Sequence, residues 1–484
     1  MVFQNNLLSG AGGSGTTTYA IGQSIRFNDD DSAYLSRTPS SEGNRKKWTL
    51  STWFKLGNSG LNQNFDGLFS AVTSASAFVT IWVNNATYNL DFIQYNGGTT
   101  YRVNTPLLTK DPSAWYHAVF VYDSGNAQST ERMRIYLNGL RVTDLYQESQ
   151  PSLNYDSQVN ATSTLHNIGR AYSSGTYSTY YFDGYQTEIH LLDGYAYDPS
   201  NFGEFNSSGI WIPKEYTGSY GTNGFKIDGR DSSDLGDDES GNGNDYATSG
   251  LASHDQVLDT PTNNFCVLTP LASLMDSGST LSNGNLKIVL SGNDQFHSNF
   301  EISEKSYCEV RLDASSNYGG ALGFGTFQGS DDDDNTIAFS MNYLNGRINL
   351  GNGSSGGDVG GNVSVGDIIM MALDPDTRKW WVGVNGTWRN SGDPAGGTGH
   401  VYQYATDYFD PSSSYSTTEG IGALVWGGFK GSANGMTVTW NFGQEGTFGG
   451  QETAGGNSDS NGNGNFKYTV PSGFKALCSK SMGS

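Results

Sequence analysis

Apolar and polar residues alternate with a period of two through most of the first half of the chain. "KWTLSTWFKL" (47–56) places Trp48, Leu50, Thr52, Phe54 and Leu56 on one face, the pattern of a half-buried antiparallel strand. "SIRFNDDDSAYLSR" (24–37), "FVTIWV" (78–83), "NLDFIQY" (89–95), "WYHAVFVYD" (115–123) and "DGYQTEIHLLDGYAYD" (183–198) read the same way. In "RMRIYLNGLRV" (132–142), Asn138-Gly139 between two apolar runs predicts a tight hairpin, because both turn positions need φ > 0. Further on, the unbroken run Ile368 to Leu373 predicts a buried strand, Asp374-Pro375 a turn, Lys379 to Val384 the returning strand and Asn385-Gly386 another hairpin. Many short strands separated by turn residues predict an all-β chain of sandwiches or barrels.

Composition narrows this reading. The 484 residues are too many for one ordinary domain, and 65 glycines beside 13% aromatics describe packed cores joined by many tight turns. Lys and Arg number 26 against 48 Asp and Glu, a net charge of -22, so a nucleic-acid partner is excluded for want of a basic face. There is no uncharged apolar run of ~18 residues, so no membrane insertion is expected. The start "MVFQNNLLSGAGGSG" has neither basic nor apolar signal regions, and three cysteines (Cys266, Cys308, Cys478) without C-x-x-C suit maturation in a reducing cytoplasm.

Three stretches carry resemblances. "AWYHAVFVYDS", "RMRIYLNGLRV", "NIGRAY" and "YFDGYQTEIHLLDGYAYDPSNF" resemble the laminin-G-like/pentraxin-like branch of the concanavalin A-like lectin sandwiches, over roughly residues 21–205. In that family a "DSSGNGNDG"-type turn precedes the unit. Here "DESGNGND" follows it, so the strand near "NGFKIDG" (223–229) is expected to close the sandwich from its other end. "VGDIIMMALDPDTRKWWVGVNGTW" (365–388) resembles SPRY domains, with the likeness running over most of 286–478. Residues 209–271 between them resemble a connector of large structural proteins of marine bacteriophages. The resemblances imply two concanavalin A-like β-sandwich (jelly-roll) domains in tandem. The expected division is an N-terminal arm at 1–20, a laminin-G-like sandwich at 21–208, a connector at 209–271 that partly completes it, and a SPRY-like sandwich at 272–484. They also imply a virion protein made in the host cytoplasm, partnered by other virion proteins and copies of itself, and contacting host surface glycan. The flexible arm places Val2, Phe3, Leu7 and Leu8 at its tip, where they are expected to dock into a virion partner.

Catalytic motifs are missing. Retaining glucanases on this fold carry E-x-D-x-x-E, with the outer glutamates on one side of a strand, but Glu188, Glu204 and Glu309 each lack an Asp two residues on. No G-x-S-x-G, H-E-x-x-H or P-loop is present, so a non-enzymatic role is expected, with glycan degradation as an alternative. No cofactor is required. The acidic runs Asp29, Asp30, Asp31 and Asp331, Asp332, Asp333, Asp334 can each be read as a calcium (Ca2+) site or as a solvated turn. The repeated loops 238–245 and 459–465 begin like EF-hand loops, yet position twelve is Ser249 in one and Val470 in the other instead of Glu. Structural turns at Asn242-Gly243 and Asn463-Gly464 are expected. Two loops rich in Tyr, Ser and Thr offer sugar-stacking or protein-contact rings: Tyr172, Tyr177, Tyr180 and Tyr181, then Tyr402, Tyr404, Tyr408 and Tyr415. The competing expectations are attachment or decoration by lectin-like binding and a purely structural role in virion assembly.

Overall fold

The structure is a computed structural model that describes residues 19–482 apart from 58–64, 174, 178–179, 271–277, 292, 316–319, 327–338, 343–345, 351–354, 405–423 and 432–434. The chain forms two compact units, one ending at Asn264 and the other beginning at Phe265. Among the described residues, helical structure is confined to three-residue 3-10 turns.

In the first unit two antiparallel sheets pack face to face. The front sheet runs from Leu140–Arg141 through Met133–Leu137, Tyr116–Asp123, Lys47–Leu56 and Gly184–Asp193 to Ser24–Phe27 and Gln256–Val257. The back sheet runs Gln147–Ser149, Thr99–Asn104, Asn89–Asn96, Ala77–Asn84, Phe65–Ser74, Leu165–Ile168, Tyr34–Arg37, Ala247–Ser249. Inward residues of both sheets, among them Trp48, Phe54, Phe69, Ile81, Phe92 and Phe120, form one core, with Trp48 of the front sheet edge-on to Phe92 of the back at 5.4 Å. The hairpin predicted at Asn138-Gly139 is present, with φ of 47° and 81°. The strand expected near residue 225 also forms: Phe225–Ile227 pairs with Gly184–Asp193, Ile227 opposite Ile189.

The half-buried reading is overturned for Tyr116–Asp123 and Gly184–Asp193 as well as for Lys47–Leu56. Strand Lys47–Leu56 is buried on both faces beyond its first residue, not half-buried. Its second face carries Thr49, Ser51, Trp53 and Lys55, and the chain after residue 194 folds back over it. Thr49 donates to the Tyr195 carbonyl at 2.9 Å, and the Lys55 ammonium reaches Asp259 and Asn264, each at 2.8 Å. A polar face reads as solvent-facing from periodicity alone, but here each polar group is matched by a partner far along the chain.

The second unit repeats the architecture. One sheet runs Thr280–Ser282, Lys287–Leu290, Met436–Asn441, Ser306–Ser315, Ile368–Asp374, Lys379–Val384, Thr387–Trp388, and the other Asn293–His297, Leu424–Gly431, Ala321–Thr326, Phe339–Asn342, Arg347–Leu350, Ser355–Asp358. Trp380, Trp381, Trp426 and Trp440 are fully buried, and Phe324 meets Trp380 across the sheets at 5.6 Å. Ile368–Asp374, Lys379–Val384 and the Asn385-Gly386 turn fall where the pattern predicts.

Candidate functional site

The outward face of the first unit's back sheet carries an aromatic platform. Alternation along Ala77–Asn84 sends Val79, Ile81 and Val83 into the core and Phe78, Thr80 and Trp82 outward. Residues 170–173, 175–177 and 180–182 then fold over this face. The Ala171 amide donates to the Tyr180 carbonyl, the Tyr172 amide to the Thr80 hydroxyl, and Gly67 leaves room for the segment, since a Cβ there would lie 2.0 Å from the Ala171 nitrogen. Tyr180 stacks on Trp82 at 5.7 Å with planes 12° apart, and Phe65 lies 4.5 Å from Trp82. Tyr172 is buried edge-on against Phe78, and Tyr177 lies 4.7 Å from Tyr172. The Arg170 guanidinium sits between Tyr34 and Tyr177, 3.3 and 4.1 Å from their ring centres, and Tyr181 lies 6.2 Å from Tyr34. Phe65, Tyr95, Tyr177, Tyr180 and Tyr181 are left half-buried.

A polar triad borders the rings. The Trp82 indole donates to Asp91 at 3.0 Å, and Arg102 donates to both Asp91 oxygens at 2.6 Å. The hydrogen bond to Asp91, outweighing burial, raises the Arg102 pKa. Sequence reasoning missed Trp82, Asp91, Arg102 and Arg170. The first three lie at outward positions of alternating strands, a signal that was available. Arg170 is placed by the return of a loop, which leaves no periodic trace.

Of the eight tyrosines, the structure brings Tyr172, Tyr177, Tyr180 and Tyr181 together on this face. Tyr402 is half-buried beside Trp380 in strand pairing, and Tyr404 is buried against Phe324. Tyr408 and Tyr415 lie outside the described residues, as do Asp331, Asp332, Asp333, Asp334 and the arm residues Val2, Phe3, Leu7 and Leu8.

Asp29–Asp31 form a 3-10 turn. Asp30 and Asp31 face solvent, with Asp31 accepting from Asn28, while Asp29 is half-buried and acts electrostatically on Asp66. Asp66 is buried at the same rim. One oxygen accepts the Asp183 amide at 3.4 Å, whereas its other oxygen and both polar atoms of the Asn85 side chain are buried without a hydrogen bond of normal geometry. Burial, reinforced by Asp29, pushes the Asp66 pKa up to about 8. Asp29, Asp66, Asn85 and Asp183 are the residues that could approach a cation. Among the described residues, however, no three His, Cys, Asp or Glu side chains converge to hold one.

The two repeated loops are turns built on their first Asp. Asp238 accepts from the Lys226, Ser240 and Asn244 amides and the Ser240 hydroxyl. Asp459 accepts from the Asn461, Asn463 and Ala476 amides and the Ser481 hydroxyl. Gly243 and Gly464 take φ of 69° and 99°, the turns expected there.

Across the front sheet lies a buried ionic cluster. Glu188, at a bulge with φ 47°, accepts from Tyr19 at 2.8 Å and lies 3.0 Å from His190 and 3.1 Å from Lys226. Burial would raise its pKa, but His190, Lys226 and Tyr19 outweigh burial and hold it at about 2.

Residues 28–196 match the family model of the concanavalin A-like lectin/glucanases superfamily. No curated protein matches the chain significantly. Among solved structures, domains LG4-5 of the mouse laminin α1 chain are 10% identical, over 95% of this chain and 88% of that one, with a TM-score of 0.30. A SAP-like pentraxin from Limulus polyphemus is 16% identical over 37% of this chain and 79% of its own, TM-score 0.27. The SPRY domain of human HERC1 is 14% identical over 32% and 87%, TM-score 0.23. The chain is thus an all-β protein of two antiparallel β-sandwiches in tandem, the first of which carries the concanavalin A-like match.

Proposed function

We propose that this chain is a non-enzymatic saccharide-binding protein of a virion, serving attachment or decoration, and that its first unit binds host surface glycan on the aromatic platform. The observation that carries the reading is the set of half-buried aromatic residues around Trp82 and Tyr180 beside the Asp91–Arg102 pair. Flat rings stack on the C–H faces of sugars, and a fixed guanidinium donates to hydroxyls. The sequence carries no E-x-D-x-x-E, and Glu188 is tied into its own ionic cluster, which favours binding over hydrolysis.

A purely structural role in virion assembly is favoured by a different observation: Tyr172 and Trp82 are 7% and 5% exposed, so much of their ring area is already used in packing. The two readings separate on a glycan array and a host-cell pull-down with the parent, Tyr180→Ala and Arg102→Ala. The lectin reading expects binding by the parent and a loss of about tenfold or more in each variant. No binding by the parent, together with failed particle assembly when the chain is deleted, would establish the structural role.

A further inference from the structure

We infer that the second unit carries its own saccharide site, in an open cleft of 330 Å³ lined by Trp388, Tyr468, Asp393, Thr469, Pro394 and Pro471. The inference rests on the reading of the chain as a saccharide binder and adds a second, separately placed site to it. Two glycines set the cleft's rings. A Cβ on Gly383 would come 2.5 Å from the Met370 methyl and 3.1 Å from the Trp388 ring, so Trp388 packs on a strand position kept free of a side chain. Gly386, at φ 82° in the hairpin turn, passes beneath Tyr468, where a Cβ would lie 3.1 Å from two ring atoms. Both aromatic residues are half-buried, Trp388 being further braced edge-on by Tyr307 at 6.3 Å.

The polar groups at the cleft have capacity to spare. Among the described residues the Trp388 indole N–H, the Tyr468 hydroxyl and the Thr469 hydroxyl make no hydrogen bond. The Asp393 side chain is exposed and, among the described residues, accepts only from the Gly396 amide, through one oxygen at 2.9 Å. Its other oxygen is available to a hydroxyl donor. Two ring faces, one carboxylate acceptor and three N–H or O–H groups match a neutral sugar, which presents C–H faces and hydroxyls together. No cationic side chain lines the cleft, so an anionic ligand would meet Asp393 unopposed. The volume lies at the lower end of ligand pockets, which span about 300–1,000 Å³, and suits a short oligosaccharide end.

The test uses the full chain in a Tyr180→Ala background and titrates neutral tetrasaccharides of glucose, galactose and mannose. Expected is residual binding that falls by about tenfold on adding Trp388→Ala or Asp393→Ala and is retained with Trp388→Phe. Asp393 is exposed, so its variant keeps the test open should Trp388→Ala fail to fold. Binding by the parent that Tyr180→Ala abolishes, or residual binding indifferent to Trp388 and Asp393, would overturn the second site and leave the first standing. A parent that binds none of these sugars would overturn the second site, the glycan array deciding the first separately. A proline-rich decapeptide binding at Trp388 in place of every sugar would overturn the saccharide assignment.

Discussion

Trp211 donates its indole N–H to Nδ1 of His117 across 3.0 Å, and the two rings stack with centroids 5.9 Å apart. An indole only donates, so Nδ1 is the acceptor and the imidazole proton sits on Nε2, facing the Ser51 hydroxyl at 2.8 Å. This contact pins residues beyond the first sandwich's last long strand onto its front sheet, and it requires a neutral imidazole.

The first prediction follows from that requirement. Burial lowers the His117 pKa to about 3. The unfolded chain therefore takes up a proton that the folded chain refuses, and stability rises with pH across this window. The contribution is complete above the unfolded value of about 6.5 and is lost as pH falls towards 3. Melting temperature of the first unit should drop over pH 6.5 to 3, and His117→Gln should flatten that slope relative to the parent. An unchanged slope in the variant would show that His117 is not the titrating group.

Asp66 has the opposite sign. Its folded pKa of about 8 lies above the unfolded value, so its stabilising contribution is full below about pH 4 and is lost as pH rises through 8. Asp66→Asn should raise the melting temperature at pH 8.5 and leave it nearly unchanged at pH 4. Calcium at millimolar concentration should not alter either protein. A calcium-dependent rise confined to the parent would place a cation between Asp66 and Asn85 and refute the protonated-acid account.

The repeated loops give a third prediction. Each Asp gathers four donors, and removing it leaves buried amides unpaired at about 1–3 kcal/mol. Asp238→Ala should lower the melting transition of the first unit and Asp459→Ala that of the second, each by several degrees. Neither shift should respond to a chelator, whereas a chelator that reproduced either shift in the parent would point to an ion.

Much of the fold was legible because its signals are local. The Asn138-Gly139 and Asn385-Gly386 hairpins and the buried run Ile368–Leu373 needed only period, length and turn chemistry. The platform was half legible: Tyr177 and Tyr180 stood out as loop aromatics, while Trp82 read as an ordinary strand residue and Arg102 lay outside every predicted strand until the sheet brought both to Asp91. The second face of Lys47–Leu56 was not legible at all. Lys55 meets Asp259 and Asn264 more than two hundred residues later, and no window of sequence contains that pairing.

The last prediction concerns the arm, whose apolar residues Val2, Phe3, Leu7 and Leu8 are too few to build a core. If they dock into a virion partner, the arm should be dispensable for folding and required for assembly. The structure fixes where the cut must fall. Tyr19 donates to Glu188 at 2.8 Å and accepts from Lys226 at 3.0 Å, so it belongs to the buried ionic cluster of the first unit. Removing Tyr19 would leave Glu188 short of one donor and confuse lost docking with lost stability, a cost of about 1–2 kcal/mol. Deleting residues 2–18 should therefore leave both melting transitions at their parent values while abolishing incorporation into particles. Tyr19→Phe, by contrast, should lower the first transition and leave incorporation intact. Full incorporation of the 2–18 deletion would show that the arm is not the anchor.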